Sequence, residues 1–173
     1  WIVRGIAAAA GNDSATARRC LAAVRQKPAA ERRRFETDTK LLEGWMQAAA
    51  GHWDEVVSLL DSPMTAGQGP WFTGRLPIRW LVAQAQEKSG NLEQAAQAYE
   101  LVLSPERLHH DVWTWRAALQ PFAHQRLVTL YMRLGKRAEA EKNAQAFREA
   151  LTQPDPSLRP LVDEARAALE GGA

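Results

Sequence analysis

His109-His110-Asp111 is the most metal-like cluster in this chain, three donor groups side by side. Zinc and similar ions need three or four ligands that converge on one point. Adjacent histidines on a helix diverge, and no cysteine or well-spaced third ligand joins them. The expectation is therefore no metal, with Asp111 capping a short helix and both histidines solvated. His52 and His124 show no sequence-local carboxylate or serine partner arrangement and read as a turn residue and a helix-start residue. The stretch GQGPWFTG (67–74) has the glycines of a phosphate loop. It lacks a following Lys-Ser/Thr pair and a preceding strand, so it reads as an ordered loop pinned by Trp71 and Phe72. Arg32-Arg33-Arg34 would spread around a helix, diluted by Glu31, Glu36 and Asp38; a solvated face is expected, not a nucleic-acid contact. Cys20, the single cysteine, reads as buried packing and excludes an intrachain disulfide. No catalytic residue and no cofactor are expected, and the chain does not read as an enzyme.

The elements that must carry these residues are helical. Alanine is abundant while valine, isoleucine and threonine are sparse, a balance that favours helix over strand. The 173 residues are 46% hydrophobic and 24% charged, ordinary for a globular chain long enough to bury a core without staples. A net charge of +2 is too small to argue for nucleic acid or an anionic membrane. No apolar run approaches the roughly 18 residues of a membrane span. The opening Trp1-Ile2-Val3-Arg4 reads as the end of a helix, so a piece of a longer protein is expected. Any signal peptide or membrane anchor would then lie outside it. Compartment stays open, cytoplasmic by default.

Glycines punctuate the chain at a repeating interval. Gly11, Gly51, Gly90 and Gly135 are separated by 40, 39 and 45 residues, and each sits between two helical patterns. In SGNLEQAAQAYELVL (89–103), Gly90 is followed by Leu92, Ala95, Tyr99 and Val102 at helix spacing. Gly135 leads to Ala140, Ala144 and Phe147; Gly51 to Trp53, Val56 and Leu60; Gly11 to Thr16 and Cys20. Each glycine is expected to end one helix in the left-handed conformation. The map is hairpins at about 2–26, 29–61, 78–103 and 122–152 and a closing helix at 157–170. Long connections are expected at 62–77 and 104–121, the second with room for a short helix. The whole of 1–173 is read as a single repeat domain.

Ala83, Gly90, Ala95 and Tyr99, at the offsets small–Gly–Ala–aromatic, resemble the tetratricopeptide repeat family. The spacing is longer than that family's unit of about 34 residues. The resemblance implies an all-α, right-handed array of helical hairpins, an α-solenoid with a capping helix. It also implies that first helices line a concave groove. On this sequence the groove positions are Leu41, Trp45 and Ala49, then Trp80, Gln84 and Lys88, then Gln125, Thr129 and Arg133, with Arg126 beside them. The family's asparagine-and-lysine clamp for a C-terminal carboxylate is absent, since Leu42, Trp45, Leu81, Gln84, Arg126 and Thr129 stand there. The last third (121–169) resembles the repeat tails of bacterial multidomain signalling proteins such as serine/threonine kinases, although no kinase motif occurs in it.

The expected function is a protein-interaction module. Its partner would be a peptide segment or helix, anchored at Trp45 and Trp80 and selected for acidic character by Lys88, Arg126 and Arg133. Self-association through exposed tryptophans is the second class. A small-ligand or enzymatic site beneath 62–77 and 104–121 is the third.

Overall fold

The computed structural model describes residues 1–65, 76–104, 112–151 and 156–171, with the side chains of 61–65, 112–117 and 157 outside that description. Every regular element among the described residues is helical. They run α1 (Ile2–Ala10), α2 (Ser14–Arg25), α3 (Ala29–Arg34), α4 (Glu36–Ala49), α5 (Trp53–Thr65), α6 (Leu76–Lys88), α7 (Leu92–Leu103), α8 (Val112–Arg133), α9 (Arg137–Ala150) and α10 (Arg159–Glu170). A short 3-10 turn, Pro156–Leu158, precedes α10. The expected all-α fold is observed. None of the described helices is long and apolar enough to cross a membrane.

Helix ends explain the repeat. Asn12, Gly51, Gly90 and Gly135 have φ of 62°, 80°, 81° and 72°, the left-handed region that asparagine and glycine enter most cheaply. At each of them the N–H donates three residues back, to Ala9, Ala48, Glu87 and Met132. The next N–H donates five residues back in three of the turns, Asp13 to Ala8, His52 to Gln47 and Lys136 to Tyr131, at 2.7–3.0 Å. This is the Schellman closure, which satisfies the last carbonyls of the outgoing helix. The following helix begins two residues after the left-handed one in every case.

The first hairpin therefore turns on Asn12, one residue later than the expected Gly11, whose φ is −88°. Asparagine's short polar side chain tolerates the left-handed region, so glycine is not obligatory there. Counted from these residues, the turns are 39, 39 and 45 residues apart. The fifth residue after each is Ala17, Val56, Ala95 and Ala140, every one of them 0% exposed. The ninth is Leu21, Leu60, Tyr99 and Ala144, all buried. Leu21, not Cys20, thus occupies the place of Tyr99, while Cys20 is buried beside Leu21 and Leu42. Seven residues before each turn stand Gly5, Gly44, Ala83 and Val128. Small side chains at the first two let the helices close.

The chain divides into two compact units, Trp1–Gly90 and Asn91–Ala173. The expected hairpin 78–103 contributes α6 to the first and α7 to the second. In the first unit α4 is central, packed on α1, α2, α5 and α6. Its core joins Leu41, Val56, Leu60, Ile78, Leu81 and Val82. Each such fully buried side chain contributes about 1.5–3 kcal/mol over leaving it in water. In the second unit α8 is central, packed on α7, α9 and α10, with Val128, Ala144, Phe147 and Ala165 in one cluster.

Three element boundaries differ from the sequence reading. The first helical arm of the expected 29–61 hairpin breaks at Phe35 (φ −109°, ψ 21°) into α3 and α4. The Phe35 carbonyl accepts both the Thr39 N–H and the Thr39 hydroxyl, at 2.9 and 2.7 Å. Helix α8 starts at Val112 and carries Pro121 inside it, so much of the expected 104–121 connection is helical. An interior proline removes its own N–H from the ladder and crowds the carbonyl four residues back, and α8 nonetheless continues through Pro121. Helix α5 likewise extends to Thr65, past the expected end at 61.

Candidate functional site

The first helix of each hairpin carries a strip that climbs from core to surface. Ten residues before the turn stand Ile2, Leu41, Trp80 and Gln125, buried except for half-buried Trp80. Six before stand Ile6, Trp45, Gln84 and Thr129, all half-buried. Two before stand Ala10, Ala49, Lys88 and Arg133, all exposed. Steps of four residues keep a strip on one side of a helix. The gradient means that only the end nearest the turn is freely presented to solvent.

Among the sequence-named residues, Trp45, Trp80, Gln84 and Lys88 lie in the first unit and Gln125, Arg126, Thr129 and Arg133 in the second. Trp45 packs against the α4–α5–α6 core with Ile6, Trp53 and Val57. Its indole nitrogen is buried and has no hydrogen-bond partner among the described residues. Lys88 and Arg133 are exposed as expected, and Trp80 and Gln84 are half-buried. Gln125 is not: it is 1% exposed, because α8 is packed on three sides. Its Nε2 and the Thr129 Oγ1, one turn further on, are both buried without a partner among the described residues. Arg126 pairs with Glu164 of α10 at 3.5 Å.

A cleft of about 620 Å³ opens in the first unit between α2, α4 and α5. Leu21, Met46 and Leu59 contribute apolar surface, while Arg25, Lys40, Glu43 and Glu55 supply charge of both signs. Arg25 and Glu43 form a 2.8 Å ion pair at its edge. This cleft was missed in the sequence reading. Its signal was Lys40, Glu43 and Gln47, which share one face of α4, but only the assembly of three helices makes that face a cleft.

The chemistry-bearing residues are occupied structurally. His52 Nδ1 lies 3.0 Å from Gln47 Oε1, and His124 Nδ1 lies 2.9 Å from Asn143 Oδ1, tying α8 to α9. Arg32, Arg33 and Arg34 are exposed on α3, with Arg34 over the Phe35 ring at 5.5 Å. Among the described residues no three His, Cys, Asp or Glu side chains are grouped to hold a metal ion. His109, His110, Asp111, Trp71 and Phe72 lie outside the described residues. Asp13 accepts the Thr16 N–H at 3.0 Å, and that bond holds its carboxyl below the usual range. Burial, with Glu100 accepting from its hydroxyl at 2.5 Å, pushes the Tyr131 phenol well above its ordinary value.

No protein-family model matches this chain, and neither a curated protein nor a solved structure matches it.

Proposed function

We propose that this chain is a protein-interaction module, a tetratricopeptide-like array of helical hairpins that holds a peptide segment or partner helix on its first-helix strips. One observation carries the reading. The packing position five residues after each turn is apolar and 0% exposed in every repeat, as Ala17, Val56, Ala95 and Ala140. The strip position six residues before each turn changes its chemistry completely, from Ile6 to Trp45, Gln84 and Thr129. A scaffold keeps what packing demands and varies what a ligand reads. Trp45 and Trp80 are the proposed apolar anchors, with Gln84 beside them. Lys88 and Arg133, at the exposed ends of their strips, and Arg126 select acidic residues. Service within a bacterial multidomain signalling protein belongs to the same proposal.

The test is binding of a selected peptide to folded Trp80→Ala and Arg133→Glu variants, where unchanged affinity in both removes the strip assignment. Self-association is the second reading, favoured by Trp1 and Val3, large apolar side chains that stand exposed beside a cleft of about 410 Å³ walled by Ile2, Val24 and Phe35. Light scattering over a concentration series separates the two, since a monomer throughout rules self-association out. The third expected class invoked a site beneath 62–77 and 104–121, and residues 66–75 and 105–111 lie outside the described residues.

A further inference from the structure

Arg126 and Val128 of α8 both meet α10, the first through Glu164 and the second in the cluster with Ala165. At about 100° per residue these two positions bracket an arc of about 160° on α8, and Gln125 and Thr129 fall inside it. The two buried polar groups without partners among the described residues therefore lie under α10. On α10, Val162, Ala165, Arg166 and Leu169 line the cleft shared with α9. Leu161, Val162, Ala168 and Leu169 are the half-buried residues of α10 packed against that cluster. All are hydrocarbon, and none can accept a hydrogen bond from its side chain. Helix α10 is also lightly seated: Ala165 is its single buried residue, against five in α7.

We propose that the α8 face beneath α10 is a helix-docking seat, whose fitting occupant is an amphipathic helix with a carboxylate or amide acceptor aimed at Gln125 and Thr129. Such a helix displaces α10. This rests on the interaction-module reading and names the partner chemistry at one of its strips. Gln125 Nε2 and the Thr129 hydroxyl, one turn apart, are donors waiting for an acceptor that α10 does not supply. Arg126 and Arg133 on the same helix favour that acceptor as Asp or Glu. In this chain α10 pairs with α8 through Glu164, which meets Arg126.

The probes are fluorescein-labelled peptides of residues 156–171, as the native sequence and with Leu161→Glu or Ala168→Glu, titrated into the full chain by fluorescence anisotropy. At least one acceptor peptide is expected to bind tenfold or more tighter than the native one, and Gln125→Leu or Thr129→Val in the full chain is expected to erase that advantage. Glu164→Lys in the full chain, which loosens its own α10, is expected to strengthen binding of all three severalfold. Equal binding of the three peptides overturns the proposal, as does an advantage that survives both Gln125→Leu and Thr129→Val. Absence of binding to the Glu164→Lys chain overturns it too. Helix content and thermal midpoint confirm folding; Gln125→Leu removes an unpartnered donor, so its midpoint should not fall. If the peptide contrast fails while selected peptides still depend on Trp80 and Arg133, the seat falls and the module reading stands.

Discussion

Gly44 brings α4 so close to α5 that a Cβ placed on it would lie 2.9 Å from Leu60 Cδ1. Gly5, at the same place in the first hairpin, is tighter in kind. Its Cβ would lie 2.9 Å from the Cβ of Cys20, an atom fixed by the backbone of α2, and equally near Leu42 Cδ2. A leucine tip can rotate away, whereas a Cβ moves only with its helix.

Gly5→Ala is therefore expected to destabilise more than Gly44→Ala, although both gain about 1 kcal/mol of helix propensity. Overpacking costs about 1–3 kcal/mol. Gly44→Ala should fall near neutral, and Gly5→Ala should lose about 1–2 kcal/mol net. Urea unfolding of both variants, followed by circular dichroism, checks the order; Gly44→Ala proving the more damaging would refute the assigned crossing.

The turn glycines make the opposite case. An added Cβ at Gly51 or Gly135 meets nothing within 4 Å, so any cost there is conformational. Gly51→Ala and Gly135→Ala are each expected to lose about 1–2 kcal/mol. Asparagine at either position should cost less, as Asn12 already demonstrates in the first hairpin. Thermal midpoints rank the set, and an alanine no worse than asparagine would deny the left-handed assignment.

Tyr131 and Glu100 join α8 to α7 through a hydroxyl–carboxylate bond that requires the neutral phenol. Burial and Glu100 raise the folded-state pKa above the unfolded value of 10.0. Below pH 10 the phenol is neutral in both states, and the stabilisation is complete. Above it the unfolded chain releases its proton first, so stability falls as pH climbs toward the folded-state value. Tyr131→Phe should flatten that alkaline decline and cost about 0.5–1.5 kcal/mol at pH 7. Denaturation curves between pH 7 and 11 measure both, and an unchanged alkaline slope would show that Tyr131 does not titrate as placed.

The helix-pair rhythm was legible because left-handed turns demand Gly or Asn and because small side chains must recur where helices cross. Gly11 misled by one residue, since Asn12 can perform the same turn. Pro121 read as the end of a connection because a proline normally marks a boundary; α8 runs through it, aided by the helix-forming RAALQ before it. Lys88 and Arg133, read as groove positions, are exposed. Gln125 was read as outward-facing, yet it is buried because α8 is packed on α7, α9 and α10, which no local pattern near α8 announces. The α2–α4–α5 cleft escaped notice for the same reason.

The central claim is that the first-helix strips bind an acidic, apolar-anchored peptide, and selection from a random peptide display library on the immobilised full chain tests it most directly. The account predicts enriched peptides that combine acidic residues with a large apolar side chain. Their affinity should fall at least tenfold, about 1.4 kcal/mol or more, in the folded Trp80→Ala or the folded Arg133→Glu variant, according to the strip that each peptide engages. Enriched peptides that bind both variants as tightly as the parent chain would contradict it.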